Sequence, residues 1–332
     1  MAHKGQKTRV GQDKSDIVGA IPRACGDETA AVEFIEQMRW DGEPYCPHCG
    51  DSNVYQMQDA KTGERSRRFL WRCRGCKRQF TVRIGTVLED SRIPMRHWCF
   101  GFWAACSSKK GVSALQIKRQ TGLTYKSALF LMHRIRWAMA DDHATPPKLS
   151  GTVEVDETYV GGKPRYVTPK EQRRKARMAG RPLPQTRKTP VVALVQRGGD
   201  VRPMVMVDVN GQNLRAAIRE NVAPGSRVIT DDARPYHSLT RHGWAHESVN
   251  HSRREYVRAD DPSVHTNTVE SFFAILKRGI MGVYHNVSHQ HLHRYLAEFE
   301  FRYNSRKLED GERTALAIRK AQGKRLTYRC LC

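Results

Sequence analysis

The sequence predicts a multidomain α/β protein, and three observations carry that expectation. Its 332 residues exceed one small module at about 150 residues per domain. Two C-x2-C pairs stand at Cys46/Cys49 and Cys73/Cys76. Beyond residue 151 the pattern changes from helical spacing to short apolar strands alternating with helices. An apolar fraction of 39% suffices for packed cores, and 27% charged residues is ordinary. The sign of the charge is not ordinary: 57 Lys+Arg against 34 Asp+Glu leave +23. A polyanion, nucleic acid first, is therefore the expected partner. No run of about 18 apolar residues and no signal-peptide core occur, so a cytoplasmic protein with no membrane partner is expected.

In chain order, residues 1–26 read as a flexible basic N-terminus, and residues 27–90 as a short helix followed by a ribbon. Asp27 is placed to cap a helix over Thr29–Trp40, whose apolar side is Val32, Phe34, Ile35 and Met38. Twenty-three residues separate the two C-x2-C knuckles formed by Cys46, Cys49, Cys73 and Cys76. Each knuckle aims two thiolates at one point, so the four complete a closed tetrahedral S4 site for one structural Zn²⁺. Lys61–Glu64 suits the turn of a hairpin arm between them, with Phe69, Trp71, Phe80 and Val82 on the flanking strands. Cys25, Cys99 and Cys106 read as apolar fillers, and Cys330 and Cys332 as tail residues.

Residues 91–142 read as a helix-turn-helix domain. Trp98, Phe102 and Cys106 repeat at i, i+4, i+8, and a second helix runs from Ser113 to Gln120. After a turn at Gly122, Thr124 caps a third helix whose buried face is Ala128, Met132, Ile135 and Met139. The start of that helix would present Tyr125, Lys126, Ser127 and Phe130 to a DNA groove, with Arg134 or Arg136 approaching phosphate. Residues 143–151, holding Pro146 and Pro147, form a linker.

Residues 152–310 predict a mixed sheet flanked by helices, with strands Thr152–Val160, Val191–Gln196, Met204–Val209 and Arg227–Thr230. Helices are expected over Asn213–Asn221 and near Pro235–His242, and residues 311–332 as a C-terminal helix and tail. An insertion at 163–189 carries ten basic side chains, Arg173, Arg174 and Lys175 among them, against the single acid Glu171. Five prolines and glycines keep it out of a core, so it reads as a solvated arm that orders on a phosphate backbone.

Three acids point to chemistry. Asp156 lies inside a β-branched strand, and Asp231 ends a later one, where side chains face the crevice at a sheet's carboxyl edge. Glu270 starts an amphipathic segment in which Lys277, seven residues on, lies about 10 Å along the same face, where a phosphate backbone could pass. Three carboxylates on two strands and a helix suit two hard cations, Mg²⁺ or Mn²⁺, of the kind that promote in-line displacement at phosphorus. Nothing resembles a Gly-rich phosphate cradle, which argues against an ATP-driven enzyme. His285, His289, His291 and His293 read as surface histidines rather than a second zinc site.

On these residues the sequence resembles the zinc-ribbon DDE transposases of bacterial insertion sequences, of the ISXO type. The carriers are the ribbon, Val155–Lys163, Thr230-Asp231, His265–Glu270 continuing through Leu276–Gly279, and Tyr303-Asn304. The resemblance spans approximately residues 27 to 310. It implies an RNase H-like catalytic domain using Asp156, Asp231 and Glu270 on Mg²⁺ or Mn²⁺, with Lys277 as a DNA contact. It further implies cleavage at an element's terminal inverted repeats followed by strand transfer into target DNA, by a homodimer or higher assembly associated with the nucleoid. The alternative is a zinc-ribbon, helix-turn-helix regulator derived from such an enzyme, and a structure-specific nuclease of the same fold is a third possibility.

Overall fold

The computed structural model describes residues 14–141, 146–161, 169–180, 188–237, 239–242 and 244–327, which fall into two compact units. One is drawn from residues 1–140 and 305–332, the other from 141–304. No helix among the described residues is long and apolar enough to cross a membrane.

The first unit opens with α1 (Lys14–Gly26), so the expectation of a flexible segment through residue 26 is corrected from Lys14 onward. Ile21 and Ala24 bury one side of this helix despite Pro22 within it. Next comes α2 (Glu28–Trp40), where the Asp27 carboxylate accepts from Ala30 N at 2.7 Å and Val32, Phe34, Ile35 and Met38 are buried. A small antiparallel sheet follows, β1 (Val54–Gln56), β2 (Trp71–Cys73) and β3 (Gln79–Phe80). Its arm turns at Gly63, with φ 70°. Trp40 meets Trp71 edge to face at 5.4 Å, and the buried Glu36 accepts from Trp71 Nε1 at 2.7 Å and Arg65 Nη2 at 2.5 Å. The ribbon is thereby fastened to α2 by an apolar contact and a satisfied carboxylate.

Three further helices complete this unit's main body: α3 (Met95–Ser107), α4 (Ala114–Thr121) and α5 (Tyr125–Met139). Ser113 and Thr124 cap α4 and α5 through their hydroxyls, and Gly122 turns the chain between them at φ 74°. Gly101 lets α3 approach α5: a Cβ there would stand 2.6 Å from Leu131 Cδ2 and 2.9 Å from Ile135 Cδ1.

The second unit contains β4 (Thr152–Val160), α6 (Pro169–Met178), β5 (Thr189–Gln196), β6 (Val201–Val205), α7 (Gly211–Asn221), β7 (Arg227–Asp231), β8 (Ala245–Val249), α8 (Asn267–Gly279) and α9 (Leu292–Asn304). The chain then returns to the first unit as α10 (Asp310–Arg319), where Arg313 Nη1 donates to Cys106 O at 2.8 Å. The sheet order is β6-β5-β4-β7-β8, antiparallel through β6, β5 and β4, and parallel from β4 to β7 and β8. One face packs Val153, Val155 and Val228 against Leu214 and Ile218 of α7. The other packs Val191 and Ala193 against Phe272 and Leu276 of α8 and Phe299 of α9.

Three expectations change here. The strand foreseen at Met204–Val209 lies at Val201–Val205, and Val207 is exposed. The helix foreseen near Pro235–His242 is two short 3-10 turns followed by β8. Residues 169–178 of the basic insertion are helical, consistent with the helix propensity of Lys, Arg, Gln, Ala and Met. Residues 163–168 and 181–187 of that insertion lie outside the described residues.

Candidate catalytic and metal sites

Parallel pairing of β4 with β7 runs in the register Thr152↔Arg227, Val153↔Val228, Glu154↔Ile229. The pairing ends there, and Asp156 and Asp231 each lie two residues beyond its last pair on the two adjacent strands. Glu270 sits in the first turn of α8, the helix that covers this face. Burial raises the Asp156 carboxyl to about 7, and the negative charges of Glu157, Asp231 and Glu270 add to the rise. Asp156 therefore feels both other acids. The three carboxylates nonetheless stand wider apart than the thiols described below, whose ligand atoms all lie within 4.8 Å of one another.

Each acid has local partners. Asp156 Oδ1 accepts from Glu157 N at 2.7 Å. Burial also pushes Asp231 upward, while the Ala233 N–H on its Oδ1 at 3.2 Å and the charges of His251 and His237 pull it back. Glu270 Oε1 accepts from Thr266 Oγ1 at 3.0 Å and lies 3.5 Å from His251 Nε2. On the α7 side, Tyr236 donates its hydroxyl to Glu157 at 2.5 Å, and burial raises the Glu157 carboxyl. Asp232 pairs with His237 at 3.2 Å and accepts from Asn250 Nδ2 at 3.0 Å.

A fourth acid fixes the geometry of the third. Glu154 lies two residues before Asp156, hence on the same face of β4, and is fully buried. Its carboxylate accepts from Thr268 N at 2.8 Å and Val269 N at 3.0 Å, two orphan amide donors in the first turn of α8, and from the Thr268 hydroxyl at 2.9 Å. Arg197 Nε donates to it at 2.6 Å, while the same guanidinium holds Ser263 O at 2.6 Å and His265 O at 2.9 Å. An anion at a helix N-terminus is favoured by the helix dipole. The start of α8, and with it Glu270, is thus tied to the strand that bears Asp156.

In the first unit, Cys46 Sγ lies 3.6 Å from Cys76 Sγ and Cys49 Sγ 3.7 Å from Cys73 Sγ. Four thiolates at about 2.3 Å from one Zn²⁺ would stand about 3.8 Å apart along the edges of a tetrahedron, so the donor set fits zinc. Gly50 N donates to Cys46 O at 2.9 Å and Cys76 N to Cys73 Sγ at 3.4 Å, the tight turns that aim each pair.

The expected DNA-contacting residues divide. Tyr125 is 47% exposed and Lys126 is exposed in the first turn of α5; Lys277 is exposed in the last turn of α8. Arg174 and Lys175 are exposed on α6, whereas the Arg173 side chain lies outside the described residues. Arg134 is a correction. It is buried, and its guanidinium donates to Val87 O at 2.7 Å, Glu89 O at 2.6 Å and Leu326 O at 3.0 Å. With Nε and Nη1 committed to carbonyls and the side chain 4% exposed, it is a packing residue of the first unit rather than an open phosphate contact. Arg136 is buried as well.

Sequence reasoning passed over Glu154, Arg197, Glu157, Tyr236 and His251. The signal for Glu154 was present: a second acid in the same β-branched run, spaced to share a face with Asp156. Arg197, Tyr236 and His251 reach the site only through the fold.

Comparison with known proteins brings the two units into one frame. Residues 148–304 match the family model of the ISXO2-like transposase domain, and residues 26–79 that of the transposase zinc-ribbon domain. The first match contains Asp156, Asp231 and Glu270; the second contains all four knuckle cysteines. The chain is also 28% identical over 279 residues to an uncharacterized protein in transposable element ISH50 of Halobacterium salinarum, covering 83% of this chain and 90% of that protein.

Proposed function

Since residues 148–304 belong to the ISXO2-like transposase domain family and residues 26–79 to the transposase zinc-ribbon family, we propose that this protein is an insertion-sequence transposase that cleaves and joins DNA. One observation carries the catalytic part: inside the matched domain, the Asp156 carboxyl is partly buried and repelled by both Asp231 and Glu270. The sheet order β6-β5-β4-β7-β8 supports an RNase H-like reading of that domain.

In this reading Asp156, Asp231 and Glu270 hold two Mg²⁺ or Mn²⁺ ions, which suit an all-oxygen donor set and offset the charge concentrated there. When bound, such ions polarise the scissile phosphate and stabilise the attacking and leaving oxygens. The chain's part is positioning. Glu154 and Arg197 tie the start of α8, which bears Glu270, to the strand that bears Asp156. The oxygen that attacks is water in the first step and the freed 3′-hydroxyl in the second, so no side chain need act as nucleophile.

DNA is held elsewhere on the chain. The pair α4 and α5 acts as the helix-turn-helix, with Tyr125 and Lys126 at the groove. The zinc-loaded ribbon joins it in recognising terminal inverted repeats. Arg173, Arg174 and Lys175 of the insertion grip phosphate with Lys277. Two ends must be joined, so the working species on DNA in the nucleoid is at least a dimer.

The test uses the full chain, its element's own ends and Mg²⁺. Asp156→Asn or Glu270→Gln should lower cleavage by about 10³-fold or more while end binding holds. Cutting at near wild-type rate by either variant contradicts the assignment.

A further inference from the structure

The turn between β8 and α8 has features that the proposed cleavage chemistry leaves unused. It is braced from within: Arg253 N donates to Asn250 Oδ1 at 3.2 Å, Glu255 N to Asn250 O at 3.1 Å, and Asn250 N to Glu255 Oε2 at 3.1 Å. Arg258 anchors its far end by donating to Ser248 O at 2.7 Å and Glu247 Oε1 at 3.2 Å. On this braced turn Tyr256 is 58% exposed. Its ring centroid is 5.4 Å from that of His251, and His251 Nε2 is 3.5 Å from Glu270 Oε1. A single imidazole ring thus separates the exposed phenol from a carboxylate of the proposed cleavage site.

Two arginines precede Tyr256 in the same turn. Arg253 and Arg254 are exposed and make no ion pair among the described residues, and Arg254 adopts φ 60°, which reverses the chain. An exposed aromatic ring on a braced backbone, with exposed arginines two and three residues before it, supplies the two parts of a single-stranded nucleic-acid contact: a stacking face and phosphate grips.

We propose that Tyr256 is a stacking platform for an unpaired nucleobase next to the scissile phosphate, with Arg253 and Arg254 holding the adjoining phosphates. The inference rests on the transposase reading and deepens it. Opening the duplex at the cleavage point is unfavourable, and stacking the freed base on Tyr256 offsets that penalty. Any base can stack, so the site helps to open the end without reading its sequence.

The test measures end cleavage by the full-length, zinc-loaded protein in Mg²⁺, on paired duplex ends and on ends carrying one abasic nucleotide stepped across the cleavage point. Tyr256→Ala should cut paired ends about 5- to 150-fold more slowly, and Tyr256→Phe, which keeps the ring, at near wild-type rate. At one abasic position, where no base can stack, wild type and Tyr256→Ala should cut at equal rates. Arg253→Ala and Arg254→Ala should each reduce the salt slope of end binding by about one. Wild-type cutting of paired ends by Tyr256→Ala overturns the inference. So does a Tyr256→Phe as slow as Tyr256→Ala, or a deficit that persists at every abasic position. Failure of the wild type to cut any end in any divalent ion overturns the transposase reading, and this inference with it.

Discussion

The Asp156 carboxyl is raised to about 7, against about 3.9 for a free aspartate, by partial burial and then by the charges of Glu157, Asp231 and Glu270. Below about pH 4 the carboxyl is protonated in folded and unfolded chains alike. Between about 4 and 7 the folded chain holds a proton that the unfolded chain has released, so stability falls as pH rises; above 7 the whole penalty stands. Asparagine has no charge to bury. In magnesium-free buffer Asp156→Asn should therefore be more stable than wild type, by an amount of order 1 kcal/mol or more at pH 8 that vanishes toward pH 4. Thermal melts across that range check it, and a pH-independent difference would contradict it. Glu154→Ala strands part of the Arg197 guanidinium and the first amides of α8, and should destabilise by about 2–4 kcal/mol, with Glu154→Gln falling in between. Denaturant midpoints measure both. Asp156 was legible in the sequence as an acid in a β-branched run; Glu154 was equally visible, but its role depends on α8 arriving from more than a hundred residues away.

Elements were legible where one periodicity and one cap coincide. The Asp27-capped helix α2 and the Thr124-capped helix α5 fall close to their expected bounds, because their apolar spacing and their cap oxygens agree. Helix α1 has the same spacing in Ile17, Ile21 and Ala24, but Pro22 and the surrounding polar residues masked it. Strand β8, Ala245–Val249, is mostly polar and is recruited by pairing to β7, which no local pattern reveals. Burial of Arg134 was hidden for a related reason: the carbonyls it satisfies belong to residues 87, 89 and 326. Two predictions belong at this scale. Gly101→Ala forces a methyl group to within 3 Å of Leu131 and Ile135 and should destabilise the α3–α5 packing by about 1–3 kcal/mol, read from thermal melts. Cys46→Ser removes one corner of the thiolate set, and should lower bound zinc from one per chain toward zero and loosen the ribbon, since zinc binding is folding energy in so small a sheet. Retained stoichiometric zinc would contradict the four-cysteine site.

Across the whole molecule, the charge of +23 is the property that sequence composition conveys most directly. Affinity for DNA should fall steeply with salt through counterion release, and replacing Arg174 and Lys175 of α6 by Ala should flatten the slope by about two. An unchanged slope would remove α6 from the interface. The two-unit division was only partly legible: a return of the chain after residue 304 to pack α10 into the first unit is a long-range event with no local signature. The proposed cleavage chemistry requires that acids from β4, β7 and α8 share divalent ions. Electron paramagnetic resonance of Mn²⁺ bound to the full-length, zinc-loaded protein tests it most directly. Two magnetically coupled ions per chain are expected, with coupling lost in Glu270→Gln and binding lost in Asp156→Asn. Equal Mn²⁺ binding by wild type and both variants would contradict it.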